Sequence, residues 1–114
     1  MKPLPNGFNV NETTLYTESD IKAGMTVELD SDGNAIVASE NSHFIGVCTK
    51  AKGNYVTVAL TGVVTVPYTG SAPSTGYDIL AADGNGNVKF FGAGDSEYLV
   101  FNVDKEKHLA TFML

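Results

Sequence analysis

Apolar and polar residues alternate along "VTVALTGVVTVPYTG", residues 56–70. Val56, Val58, Leu60, Val64, Val66 and Tyr68 occupy the even positions, and Thr57, Thr61, Thr65 and Thr69 stand among the odd ones. A period of two predicts β-structure with one buried face, with Val56, Val58, Leu60, Val64 and Val66 turned to the core. At ~3.3 Å per residue the run would extend roughly 45 Å, too long for one strand of a small sheet. Gly62 is the position at which such a run bends and passes from one half-structure to another. Pro67 has no ladder donor and belongs at an edge or a strand end.

The segments on either side of this run resemble each other. Residues 23–60 and 75–114 each have glycine second, Gly24 and Gly76, starting a short apolar strand. Each then has a turn ("SDGNA", "DGNGN"), a short strand, a polar bend, an apolar strand, a lysine-bearing turn ("KAKGN", "DKEKH") and a last strand. Matched positions lie roughly 52–54 residues apart, near the range in which repeats define an architecture. Asp-Gly and Asn-Gly between short alternating runs predict tight hairpins. "YTGSAPSTG", residues 68–76, reads as the connecting loop, with room for one short helical turn over 69–75.

These patterns predict an all-β domain over residues 21–114. Its two similar β-meander halves, 21–62 and 63–114, form a small closed barrel or tight sandwich, because closure removes exposed strand edges. Residues 1–20 carry single apolar residues spaced among asparagines and two prolines. They read as an extended arm, or as an edge strand docked on the chain's own domain. Leu4, Phe8, Val10, Leu15 and Tyr16 are the arm's candidate anchors for a shell or a neighbouring subunit.

Composition narrows the function. The 114 residues have a formal charge of −6, seven lysines without arginine, and 43% hydrophobic residues. A basic stripe is missing, which argues against nucleic acid as a partner. No apolar run approaches the ~20 residues needed to span a bilayer as a helix, so no membrane partner is expected. The single Cys48 forms no intramolecular disulfide and suits a reducing compartment during folding.

Candidate chemistry is thin. "DGNGN" places Asp83, Asn85 and Asn87 at EF-hand spacing, but Val88 and Gly94 stand where glycine and glutamate are required. "DSDGN", residues 30–34, fails sooner, so both read as structural hairpins. His43 and His108 have no metal-ligand spacing to a second donor and read as surface residues. Cys48 lies in "HFIGVCT", where Phe44, Gly46 and Cys48 are expected on one face, and reads as a small core hydrophobe. Serine-nucleophile and phosphate-loop motifs are missing. No enzymatic activity, metal or cofactor is expected.

The span 21–66 carries "IKAG" at its start, Ile45-Gly46-Val47, Val56 and Val58, and Gly62-Val63-Val64. In these motifs the chain resembles small phage capsid decoration (cement) proteins and their prophage homologues. Thr61 stands where that family often has arginine, and Leu99-Val100-Phe101 replaces a second Ile-Gly-Val. The resemblance implies a β-barrel protein that binds the outside of a phage capsid and reinforces it. Its partner is then the major capsid protein shell. The resemblance also implies a homo-oligomer, with a trimer favoured, assembled in the host cytoplasm and located on the outer capsid surface of the virion. The alternative is a non-catalytic surface- or carbohydrate-binding module of a phage tail or cell-surface protein, using Tyr55, Tyr68, Tyr77 and Tyr98.

Overall fold

Leu60, Thr61 and Gly62 divide the long alternating run between two sheets. The computed structural model describes residues 11–114, which form ten strands and no helix. The first sheet contains β1 (Glu12–Tyr16), β2 (Thr26–Leu29), β3 (Ala35–Val37), β4 (Gly46–Lys52) and β5 (Tyr55–Ala59). It is antiparallel, in the order β1-β5-β4-β2-β3. The second contains β6 (Val63–Thr69), β7 (Gly76–Ala82), β8 (Val88–Phe90), β9 (Glu97–Asp104) and β10 (Leu109–Met113). Its strands run β6-β10-β9-β7-β8, and a parallel pair, Tyr68↔Val88 and Thr69↔Lys89, joins β8 back to β6 and closes a barrel. The protein is thus all-β, with one small closed barrel.

The two sheets share one strand order, position for position, and they differ at the closing seam. Ladder partners Leu15↔Val56 and Val66↔Ala110 place Thr17 in the first sheet where Tyr68 sits in the second. Tyr68 pairs with β8 through the backbone. Thr17 instead donates its hydroxyl to Ala35 O at 2.7 Å. The first sheet is drawn together there by a side chain rather than by a ladder.

Gly62 has φ +104°, a conformation glycine adopts without the steric cost borne by other residues. It turns the chain so that Val56 and Val58 face the core of the first sheet and Val66 that of the barrel; all three are fully buried. Val64 is half-buried against the barrel core. Leu60 departs from expectation: it is 38% exposed. The ladder ends at Ala59, and Leu60 lies in the bend, its N–H donating to Asn11 O at 2.7 Å. Ala59 is buried on the face opposite Val58, beside its partner Val47, which belongs to the barrel's core cluster. Pro67 obeys its chemistry. Tyr68 N–H donates to His108 O of the β9–β10 turn, so the Pro67 nitrogen faces away from β10, short of the point where β8 joins.

Two cores result, and they are not independent. Val27, Ala35, Cys48, Val56, Val58 and Ile21 fill the first. Val66, Leu80, Val88, Tyr98, Val100 and Phe112 line the second, but Ala38, Phe44 and Val47 of the first sheet's half complete it. The expected common face of Phe44, Gly46 and Cys48 therefore splits. β4 begins only at Gly46, so Phe44 turns into the barrel while Cys48 faces the other core. Hydrogen bonds lock the halves together: Thr26 N to Gly86 O (2.8 Å), Asn41 N to Ala82 O (2.9 Å) and Ala82 N to Ser42 O (3.1 Å). The loop over 69–75 contains no helical turn.

Candidate functional site

Leu4, Phe8 and Val10 lie outside the described residues. Leu15 and Tyr16 belong to β1, paired along the chain's own β5 rather than free in an arm. Apolar Leu15 alternates with Glu12 and Thr14, and burying it against the first core outweighs leaving the segment extended. Tyr16 is exposed and meets Tyr55 edge-on, with ring centroids 5.7 Å apart. β1 is an edge strand of its sheet among the described residues. It presents one row of backbone donors and acceptors outward, at the place where residues 1–10 join.

The aspartate loops are built differently from tight hairpins. In "DSDGN", Asp30 Oδ1 accepts from the N–H groups of Asp32 and Asn34, both at 2.9 Å, and Asp30 N donates to Asn34 O at 2.9 Å. In "DGNGN", Asp83 Oδ1 accepts from Asn85 N (2.8 Å) and Asn87 N (3.0 Å), and Asp83 N donates to Asn87 O at 3.0 Å. The shared signature is Asp-x-Asx-Gly-Asn, with glycine at positive φ in both (Gly33 +81°, Gly86 +93°). Each aspartate carboxylate folds its own five-residue loop. Asp83 Oδ2 also accepts from Thr69 Oγ1 and Asn87 Nδ2, each at 3.0 Å. Partial burial pushes the Asp83 carboxyl up, but these four hydrogen bonds outweigh it and hold it below the usual carboxylate range. Both carboxylate oxygens are thereby committed to protein donors. No group of three or more His, Cys, Asp or Glu among the described residues could hold a metal.

Other candidates resolve into structural roles. The exposed His108 adopts φ +55° in the β9–β10 turn, its ring 5.3 Å from that of Tyr68. His43 is exposed and packs edge-on against Tyr98 at 6.2 Å. It borders a shallow depression with Ser42, Asp95 and Ser96, where the Ser42 hydroxyl donates to Ser39 O at 2.9 Å and so stabilises its own turn. Cys48 is buried, and its thiol lies 3.2 Å from Lys50 O. Burial pushes that thiol up, away from the reactive thiolate. The four tyrosines proposed as a ligand platform do not assemble. Tyr68 and Tyr98 are buried, whereas Tyr55 and Tyr77 are exposed on different sheets. Burial holds the Tyr98 phenol up to about 12.

The alternation pattern alone did not reveal an apolar row on the outside of the barrel. Ladder pairs Tyr77↔Leu99, Leu99↔Met113 and Met113↔Val63 align these residues across β7, β9, β10 and β6. Their neighbours Tyr98, Val100 and Phe112 point inward and are buried. In sequence the row is visible only as apolar residues breaking the alternation at Val63, Leu99 and Met113.

These features define a class: a small two-sheet β-protein with exposed strand and barrel faces, whose Cys48 is buried and whose Asp30 and Asp83 each fold a loop. No family model matches the chain, and neither a curated protein nor a solved structure matches it.

Proposed function

We propose that the protein is a structural virion component that binds the outer surface of an assembled phage capsid and reinforces it. The motifs behind the resemblance fall at positions that organise the fold, which supports this reading. Gly46 of Ile45-Gly46-Val47 lies tightly against β5, since a Cβ there would meet Ala59 O and sit 2.8 Å from Val58 Cγ1. In Gly62-Val63-Val64, Gly62 ends the bend between the sheets and Val63 and Val64 begin β6. The observation that carries the proposal is the edge strand β1, directly preceded by a segment bearing Leu4, Phe8 and Val10. An open edge strand suits strand addition to a neighbouring sheet, with apolar side chains adding specificity. Several copies binding at once would multiply weak contacts through effective concentration.

Co-sedimentation of the purified protein with assembled shells tests the proposal. Intact protein is expected to pellet with shells. A version lacking residues 1–10 keeps β1 and its fold and is expected to remain in the supernatant. An intact protein that never pellets with shells overturns the reading.

A further inference from the structure

We infer that Asn85–Gly86 is a site of spontaneous deamidation in the folded protein, and that its isoaspartate product loosens the loop tying the barrel to the first sheet. This inference rests on the β7–β8 loop and is independent of capsid binding. Asn85 is the one asparagine among the described residues that precedes glycine; Asn6–Gly7 lies outside them. A following glycine has no side chain to shield its nitrogen from the asparagine amide carbon, and ring closure within one chain needs no encounter. Gly86 N attacks Asn85 Cγ. The N–Cγ bond forms, the Cγ–Nδ2 bond breaks, and Nδ2 leaves as ammonia with the Gly86 proton. Water then opens the succinimide at either carbonyl, giving aspartate or isoaspartate with no change of oxidation state.

Three observations single out this dipeptide. First, both reacting groups are uncommitted. Asn85 is exposed, and its side-chain amide makes no hydrogen bond among the described residues. Asp83 Oδ1 holds the N–H groups of Asn85 and Asn87 but passes over that of Gly86, which has no partner among the described residues. Secondly, the sister loop differs at this atom. Gly33 N donates to Asp30 O at 3.1 Å, so the nitrogen that would attack Asp32 is held. Thirdly, Asp83–Gly84 lacks an electrophile. Both Asp83 oxygens accept hydrogen bonds that favour the carboxylate, and a carboxylate resists attack by nitrogen.

The product matters because the loop is a clasp. Gly86 O accepts from Thr26 N at 2.8 Å, and Thr26 Oγ1 donates to Asn87 O at 3.3 Å. Gly86 also lies against Met25, since a Cβ there would sit 2.7 Å from Met25 Cε. Isoaspartate adds a methylene to the main chain inside a loop closed by Asp83 N and Asn87 O. Gly86 O and the two Asp83 Oδ1 bonds cannot all keep their places. Either product also puts a second carboxylate into the loop of Asp83.

Incubation of the folded full chain at mildly alkaline pH, followed by peptide mapping and isoaspartyl methyltransferase labelling, tests this. Isoaspartate is expected at position 85 and not at 32 or 83; the map separates any product at Asn6. Asn85→Gln, which would have to close a larger ring, is expected to give none at that position. The aged protein should melt at a lower temperature than Asn85→Asp, which adds the charge without lengthening the chain. Both variants keep the backbone N–H that Asp83 accepts, and thermal melts establish that each is folded. A position 85 that stays asparagine in the folded chain overturns the proposal, and conversion confined to denaturant shows that the loop protects it. Equal yields at 32, 83 and 85 also overturn it, because the loop's hydrogen bonds then do not select the site. Isoaspartate-bearing protein that melts like Asn85→Asp overturns the loosening of the clasp.

Discussion

Phe44 lies flat on Tyr98: the ring centroids are 5.3 Å apart and the planes are inclined by 6°. Both rings also meet Phe112 edge-on, at 6.2 Å from Phe44 and 5.4 Å from Tyr98. One residue from the first half thus completes an aromatic trio whose other members belong to the barrel. Phe44→Ala should cost about 3–5 kcal/mol, combining lost burial with the cavity left behind. Denaturant unfolding of this variant should remain a single transition. Separate transitions for barrel and open sheet in this variant would show that the ring, rather than the hydrogen bonds between the halves, is what couples them.

Gly46 packs tightly in the open sheet: a Cβ there would collide with Ala59 O and the Val58 side chain. Gly46→Ala introduces a methyl group that backbone cannot evade by a rotamer change. A loss of ~2–3 kcal/mol or more is expected, in the upper range for overpacking. Gly53→Ala is the comparison. Nothing lies within 4 Å of its added Cβ, so only its φ of +59° is strained and the loss should be about 1 kcal/mol. Equal melting temperatures for the two variants would count against the close approach.

Asp83 connects the barrel's closing seam to pH. Its folded carboxyl titrates below the ordinary range, so its contribution is fully present above the unfolded carboxylate value near ~4. The contribution is lost as pH falls through the lower, folded value. Thermal melts should therefore decline on acidification below pH ~4. Asp83→Ala should flatten that decline while lowering stability at neutral pH by about 1–2 kcal/mol, since the loop loses its acceptors. An unchanged acid limb in Asp83→Ala would assign the pH dependence to other carboxylates.

Cys48 should be chemically silent in the folded protein. It is 1% exposed, and burial disfavours its thiolate. A thiol reagent should label it only at the rate of unfolding, and labelling should accelerate in denaturant. Cys48→Ala should cost about 1 kcal/mol and leave shell sedimentation unchanged. Rapid labelling under native conditions would mean that the first core opens locally.

Much of the fold was legible because alternation reports burial directly. Val56, Val58 and Val66 face cores as their spacing required, and Gly62 turns the chain between sheets. The pattern failed where both faces of a strand are covered. Ala59 is odd-numbered in its run yet buried, because the barrel lies over it, while Leu60 keeps the alternation but has already left the sheet. Phe44 could not be placed from its own segment, since its pocket is made by residues around positions 98–112. The aspartate loops were visible as Asp-x-Asx-Gly-Asn, but hairpin rules describe two-residue turns and so hid the shared five-residue design. The candidate binding residues were less legible. An edge strand such as β1 and a terminal arm are equally sparse in apolar residues, and only tertiary pairing separates them.

The shared barrel core also constrains how the protein can be made. During synthesis Phe44 emerges well before Tyr98 and Phe112, the rings that receive it. Until those residues arrive, the first half carries a bare aromatic side chain and an uncovered row at Ala59 and Val47. Folding must therefore wait for contacts between residues distant in sequence, a topology associated with slow folding. Anything that stalls translation after β5 should leave a sticky, incompletely folded chain rather than a stable half-domain. The feature that makes the mature molecule one cooperative unit is thus also its point of greatest exposure to aggregation while it is being built.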